Sequence, residues 1–507
     1  MLDNAIMKHP NREAIVMGSF RQTYQQIGET VHHLAGTLSQ HYGIKKGDRV
    51  ALLLHNCPEF IQFVFACARL GAIVVPLNTR LSEKELSFML NHSTTKLLVA
   101  STDSSETINQ LNLENECHFI YLSKQNEKVE EMTLQKLLQL YSTPYELKKV
   151  EIFETDPLFI MFTSGTTGTP KGAIGSHAGI IHSAMNYREV LKPQEKTRTL
   201  IAVPLFHVTG LIGQMFFMVL IGGTSVLLER FQTEPFIRTM HDEKITFLFN
   251  VPTIYIMVMS HPLFQKHTYP SVKVIAYGGA PMSQETIEQL RKAFPGVHLH
   301  NAYGATETSS PATIMPVTYD DSKLSSVGQP VPVADMKIVS DDGEELPPNQ
   351  IGELYIKGPM VVEGYWDNEE ANKKAFEDGY WKSGDMALID DERFVYIMDR
   401  KKDMINRAGE NIYSVEVENV LYEHEAVLEA AVVGVPDEMF GEQVKAFIVK
   451  KPEKKVEIEE LKQYVKERIA DYKVPKHIEF IDKLPRNPGG KILKARLSRM
   501  HQSNYTA

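Results

Sequence analysis

PLFIMFTSGTTGTPKG, residues 157–172, decides how the rest of the chain is read. Residues 157–162 form an apolar run that fits a buried strand, and the run feeds a loop rich in Gly, Ser and Thr that closes on Lys171 and Gly172. Such a loop presents unhindered backbone N–H groups at Gly165 and Gly168. It adds the hydroxyls of Thr163, Ser164, Thr166 and Thr167 and the ammonium of Lys171, a set that suits a polyphosphate. It is not a Walker A loop, because the spacing to a Gly-Lys-Ser/Thr ending is missing, and no GxGxxG turn for a dinucleotide is present.

Working outward, strand and helix patterns alternate. Upstream, Thr23 precedes Tyr24, Ile27, Val31, Leu34 and Leu38, which share one helix face with Thr23 as its cap. Residues 48–54 (DRVALLL) read as a buried strand, Pro58 opens a helix, and residues 72–75 (AIVV) read as the next strand. Downstream, residues 272–276 read as a strand, and Ser283 caps a helix running to Phe294. Strands separated by helices of this length predict an α/β chain with mainly parallel sheets. The most apolar window, residues 211–228 (LIGQMFFMVLIGGTSVLL), is interrupted by Gln214, Gly222, Gly223, Thr224 and Ser225 and lacks a flanking basic cluster. It predicts a buried helix, a Gly-Gly break and a buried strand, with no transmembrane segment.

The 507 residues include 54 Lys and Arg against 64 Asp and Glu, a net charge of −10, which argues against nucleic acid as a partner. With 43% hydrophobic and 23% charged residues, disordered, collagenous and coiled-coil classes are excluded. Cys57, Cys67 and Cys117 form no CxxC pair, and the first residues carry no basic region followed by an apolar run. Both features predict a reducing, cytoplasmic location without a secretory signal. The charge balance shifts late: residues 401–507 carry a net +1 and the preceding residues a net −11. At the shift lies the charged stretch 399–403 (DRKKD), read as an exposed junction. A small αβ unit follows it, with a helix at Ile458, Leu461, Val465 and Ile469.

The loop TSGTTGTPKG resembles the signature of the acyl-adenylate-forming superfamily, which includes acyl-CoA synthetases, the adenylation domains of peptide synthetases and beetle luciferases. The superfamily's other signatures follow in order. They are Pro204-Leu205-Phe206-His207, Tyr277-Gly278-Gly279-Ala280-Pro281, Asn301-Ala302-Tyr303-Gly304-Ala305-Thr306-Glu307, Ser383-Gly384-Asp385, Asp399-Arg400-Lys401-Lys402-Asp403, Gly409-Glu410-Asn411 and Pro488-Gly489-Gly490-Lys491. The ordered set spans nearly the whole chain and is far more specific than any single member.

The resemblance implies a large N-terminal domain of layered α/β subdomains (residues 1–399), a hinge (400–403) and a small mobile C-terminal α+β domain (404–507). It implies an acid–CoA ligase using ATP and CoA as co-substrates with Mg²⁺. In that reading Thr163, Ser164, Gly165, Thr166, Thr167, Gly168 and Lys171 hold the phosphates, and Gly279, Ala280 and Ala302 line the nucleotide. Tyr303 offers a face for adenine and Asn301 an amide for its edge. Thr306 donates to a phosphate oxygen, and Glu307 is a hard oxygen ligand for Mg²⁺. Asp385 accepts from the ribose hydroxyls, with Arg400 adding a cationic contact. Lys491 stabilises charge as the carboxylate attacks the α-phosphorus. His207, Gly409 and Glu410 border the pantetheine tunnel, and Lys402 is the pivot between two half-reactions.

No Asp stands beside the Tyr277 strand or at Phe206-His207 to hold a substrate ammonium, which argues against an amino acid. A medium- or long-chain fatty acid is the expected substrate, with an aryl acid as the alternative. A stand-alone adenylation enzyme loading a carrier protein is the second alternative, disfavoured because no carrier domain follows Ala507. A catalytically silent binding protein is disfavoured by Lys491, Glu307 and Asp385, and homodimerisation is left open.

Overall fold

The Thr23 cap forms as the spacing predicts. In the computed structural model its hydroxyl accepts the Gln26 N–H while the Gln26 side chain accepts the Thr23 N–H, a capping box on the helix Tyr24–His41. Tyr24, Ile27, Val31, Leu34 and Leu38 are all buried along it. The structure describes residues 1–123, 134–140, 150–163, 169–280, 282–408, 410–437, 439–452, 454–486 and 492–503.

The strands Arg49–Leu53 and Ile73–Pro76 flank the helix Pro58–Leu70, whose Pro takes the first turn and whose end is turned by Gly71 at φ 68°. They sit at the centre of a six-stranded sheet in the order His118–Leu122, Leu97–Ser101, Arg49–Leu53, Ile73–Pro76, Pro157–Thr163, Lys171–Ser176. Every neighbouring pair is parallel except the last, a hairpin that sets Thr163 opposite Lys171. A nine-stranded sheet holds a second parallel run, with His298–Tyr303 and Val274–Gly278 side by side near one edge. Parallel strands covered on both faces need apolar residues at successive positions, which is why runs such as AIVV carry no alternation.

The apolar window folds as Leu211–Phe216, which winds as a π-helix, then the helix Phe217–Ile221, Gly222 at φ 65° and the strand Thr224–Leu227. Gln214 is fully buried with both ends satisfied: it donates to Phe249 O at 3.0 Å and accepts from Thr199 Oγ1 at 2.9 Å. Among the described residues no helix is long and apolar enough to cross a membrane.

A third, antiparallel sheet combines Asp335–Val339, Gly352–Lys357, Phe376–Glu377, Tyr380–Ile389 and Val395–Arg400. A fourth uses Ile405–Arg407, Glu410–Ile412, Val427–Asp437, Gly441–Lys450 and His477–Phe480, packed with the helices Ser414–Tyr422, Ile458–Lys466 and Lys494–Ser503.

Three sequence readings shift. The strand expected at 272–276 runs over Val274–Gly278, because Val272 closes a turn by donating to Tyr269 O. The late helix ends at Lys466, and Ile469 packs against the core beyond it. The stretch 399–403 is not uniformly exposed: Asp399 is buried at 3% exposure and Arg400 closes a strand, so the exposed part begins at Lys401. A carboxylate can be buried there because backbone and hydroxyl donors saturate it.

Candidate active site

The hairpin of Pro157–Thr163 and Lys171–Ser176 carries the phosphate-loop candidates at its tip. Ser164, Gly165, Thr166, Thr167 and Gly168 lie outside the described residues, as do Gly409 and Lys491. The base of the loop is defined. Thr163 Oγ1 donates to Glu307 Oε1 at 3.4 Å, and Lys171 Nζ sits 5.1 Å from the centre of the Tyr365 ring. Tyr365 donates its hydroxyl to the same Glu307 oxygen at 2.9 Å. Burial is the largest effect on that phenol, with the Glu307 charge added to it, and its proton is held well above the usual range.

Glu307 is 9% exposed, on the short turn Thr306–Thr308 that follows the strand His298–Tyr303. Its Oε1 is committed to two donors, and among the described residues Oε2 has none. A carboxylate with one uncommitted oxygen, hydrogen-bonded through its other oxygen to Thr163 at the base of the loop, fits Mg²⁺, which is bound through one or two carboxylates with substrate phosphates and water. Among the described residues no group of three or more His, Cys, Asp or Glu converges as an all-protein metal cage.

The nucleoside candidates form a second cluster. Tyr303 Oη donates to Asp385 Oδ2 at 2.5 Å, and Arg400 Nε meets Asp385 Oδ1 at 2.8 Å. Asp385 and Arg400 are direct partners across an antiparallel pair, so sheet register alone brings the anion to the cation. Gly384, at φ 69°, makes the turn that lets Asp385 N–H reach Ser383 Oγ at 3.0 Å. Burial opposes the Arg400 charge, yet Asp385, Tyr303, Glu307 and Asp403 together raise its pKa, so it stays a fixed cation. The Glu307 contribution links the two clusters electrostatically.

The other candidates fall nearby in the sheet or beyond it. Gly279, at φ 77°, and Ala280 follow the strand Val274–Gly278, where a Cβ on Gly278 would lie 2.2 Å from Ala302 O. Ala302 is buried beside Tyr303. Asn301 already donates its amide to Ser326 O at 3.1 Å, leaving its other hydrogen and its oxygen for a ligand. Thr306 is half-buried, Lys402 is exposed, and Glu410 is exposed at the start of a short strand. Sequence spacing gave no sign of Tyr365, because only the fold brings it to Glu307.

His207 precedes the short helical turn Val208–Gly210, and its ring is tilted against that of Phe206 with ring centres 4.7 Å apart. Among the described residues its buried Nε2 has no hydrogen-bond partner, and burial pushes the imidazole down to about 4. It is therefore neutral at pH 7. An unfolded chain binds that proton near the ordinary value of about 6.5, so stability should fall as pH drops from there toward 4. His300, also pushed to about 4 by burial, acts in the same direction. Urea unfolding at a series of pH values should show this decline, with a shallower slope for His207→Gln. Equal slopes for the two proteins would show that the buried imidazole does not carry the effect.

The family model described as AMP-binding enzyme matches residues 2–366, and that of the AMP-binding enzyme C-terminal domain matches residues 416–491. The chain is 37% identical to a 2-succinylbenzoate–CoA ligase of Bacillus licheniformis, covering 96% of this chain and 97% of that protein. It is 34% identical to a long-chain-fatty-acid–CoA ligase of Bacillus subtilis, covering 100% and 94%. Among solved structures it is similar to o-succinylbenzoate coenzyme A synthetase from Bacillus subtilis in complex with ATP and magnesium ion. That likeness has a TM-score of 0.84 at 32% identity and covers 98% of each chain.

Proposed function

Since the chain belongs to the AMP-binding enzyme family and is an AMP-forming acid–CoA ligase acting through an acyl-adenylate, we propose how its own residues divide that work and which acid it takes. The observation that carries the assignment is the pair of clusters described above, Tyr303–Asp385–Arg400 and Thr163–Glu307–Tyr365–Lys171. The first suits an adenosine: the Tyr303 ring stands beside the Asp385 carboxylate, a group that can accept from ribose hydroxyls. The second suits the triphosphate, with Lys171, Thr163, Thr306 and the loop residues Ser164, Gly165, Thr166, Thr167 and Gly168 around it. Gly279, Ala280 and Ala302 leave room for the base, and Asn301 offers its remaining amide atoms. Glu307 would hold Mg²⁺ through Oε2, and the ion would neutralise charge on the phosphates.

In the first half-reaction a carboxylate oxygen attacks the α-phosphorus, the bond to pyrophosphate breaks, and Lys491 offsets the charge that develops. In the second, the CoA sulfur attacks the acyl carbon and AMP leaves, with His207, Gly409 and Glu410 near the thiol's approach. The same reading divides the chain into 1–399, a hinge at 400–403 and a mobile unit at 404–507. Lys401 N–H donates to Gly384 O at 2.9 Å and its side chain pairs with Asp341 at 2.9 Å and Glu353 at 3.1 Å. The exposed Lys402 is thus the first residue past that anchor. The free thiols of Cys57, Cys67 and Cys117 support a cytoplasmic setting.

For the acid, we favour a medium- or long-chain fatty acid. Residues 203–221, 247–260 and 274–280, which flank His207 and Gly279, contain no Lys or Arg to pair a second carboxylate. An aryl acid is the second reading, favoured by the 37% identity to a 2-succinylbenzoate ligase. Pyrophosphate release should be measured with ATP, CoA and acids from octanoate to palmitate, benzoate, ferulate and 2-succinylbenzoate. Fatty acids are expected to give the highest kcat/KM. A preference for 2-succinylbenzoate would overturn the reading.

A further inference from the structure

Asp399 and Arg400 are consecutive residues at the end of the strand Val395–Arg400, so their side chains leave on opposite faces. Arg400 turns to Asp385 at the nucleoside cluster. Asp399 turns the other way and is saturated. Its Oδ1 accepts the Arg400 N–H at 2.8 Å, and its Oδ2 accepts Ser414 N–H at 2.5 Å and Ser414 Oγ at 2.6 Å. Ser414 is fully buried and opens the helix Ser414–Tyr422.

The chain of contacts continues on the far side of residues 400–403. Lys494, at the start of the helix Lys494–Ser503, donates to Ser414 Oγ and pairs with Glu418 Oε1 at 2.7 Å. Glu418 Oε1 also accepts the Val432 N–H at 2.7 Å. Burial raises the Glu418 pKa against the pull of Lys494. A carboxylate before the junction is therefore joined, through one hydroxyl, to a largely buried ion pair after it. Ser414, Glu418 and Lys494 lie on elements packed around one strand, Val427–Asp437, and so belong to one packed unit. Rotation of the backbone at Lys402 displaces Ser414 from Asp399 and leaves the Glu418–Lys494 pair intact. Buried ionic groups tolerate complete pairing or exposure and resist intermediate states, so the contact has two states rather than a continuum.

We propose that Asp399 and Ser414, buttressed by Lys494 and Glu418, form a latch that holds the C-terminal unit in the orientation seen here and must open once in each catalytic cycle. This rests on the reading that two orientations about Lys402 serve the two half-reactions. Asp399 and Ser414 are positioning residues: they act by setting which face of the C-terminal unit meets the nucleotide, and the Asp399–Arg400 adjacency places the latch one residue from the nucleoside cluster.

The test uses the whole 507-residue chain. Acid-dependent ATP–pyrophosphate exchange reports the first half-reaction, and thioester yield from synthetic acyl-adenylate and CoA reports the second. Trypsin cleavage after Arg400, Lys401 or Lys402 reports junction opening without reference to activity. Losing a hydrogen bond to a buried carboxylate should change an equilibrium roughly tenfold. Ser414→Ala is therefore expected to speed cleavage and to shift the ratio of the two half-reaction rates by about that factor. Asp399→Asn, which keeps the size and one acceptor oxygen, should move both readouts the same way and carries the test if Ser414→Ala does not fold. A ratio and a cleavage rate both within about twofold of the parent, in the folded variants, would overturn the latch. If the parent itself shows neither half-reaction, the ligase assignment fails instead, and the cleavage rates still judge the latch.

Discussion

Lys491→Ala is expected to abolish acid-dependent pyrophosphate exchange while leaving the conversion of supplied acyl-adenylate and CoA to thioester intact. An ammonium that meets charge only as the α-phosphorus is attacked contributes to that transition state and not to thiol attack at carbon. Removing one such preorganised partner costs roughly a hundred- to a thousandfold in rate. On either side of the segment that carries Lys491, Arg486 and Ile492 form a bridge and Leu493 N–H donates to Pro485 O at 2.9 Å. Arg486 is further tied to Glu429 at 2.5 Å, so these flanking contacts do not depend on the Lys491 charge. Gly409→Leu should do the reverse, because a bulky side chain there would obstruct the thiol's approach. Lys402→Pro should resemble Gly409→Leu, since fixing φ restricts rotation at the pivot. Equal loss of both half-reactions in all three variants would show that the two faces are not separate.

Glu307→Gln should lose adenylation by roughly a hundredfold or more yet unfold at nearly the parent temperature. Gln keeps an oxygen that can accept from Thr163 and Tyr365, so the local hydrogen bonds survive while the negative charge disappears. The charge is what a divalent cation needs. Raising Mg²⁺ should recover part of the rate, and Mg²⁺·ATP should stabilise the variant less against heat than the parent. Undiminished exchange at limiting Mg²⁺ would remove the metal role from Glu307. A large drop in melting temperature without nucleotide would instead assign the loss to folding.

The ends of elements were legible where local chemistry decides them. Thr23 and Ser283 cap the helices assigned to them, and Pro58 and Gly222 start and stop elements, because caps and turns depend on a few neighbouring residues. The strand at Val274–Gly278 was misplaced by its local pattern, since pairing with Phe247–Asn250 and His298–Tyr303 sets its limits. The 399–403 stretch misled for a related reason. Charge in a sequence predicts exposure only when nothing saturates the group, and Ser414, which saturates Asp399, is remote along the chain.

By itself the sequence determined the family, the α/β class with its parallel runs, and the residue types available to a nucleotide, because ordered motifs and local periodicity are properties of neighbouring residues. Only the tertiary structure decided which of those residues meet. Sheet register pairs Asp385 with Arg400, the chain's return brings Tyr365 to Glu307 and Lys171, and the packing after the junction closes Asp399 onto Ser414 and Lys494. Those contacts join residues far apart in the chain. They depend on how whole layers stack and on which buried charges find donors, and no local spacing encodes either.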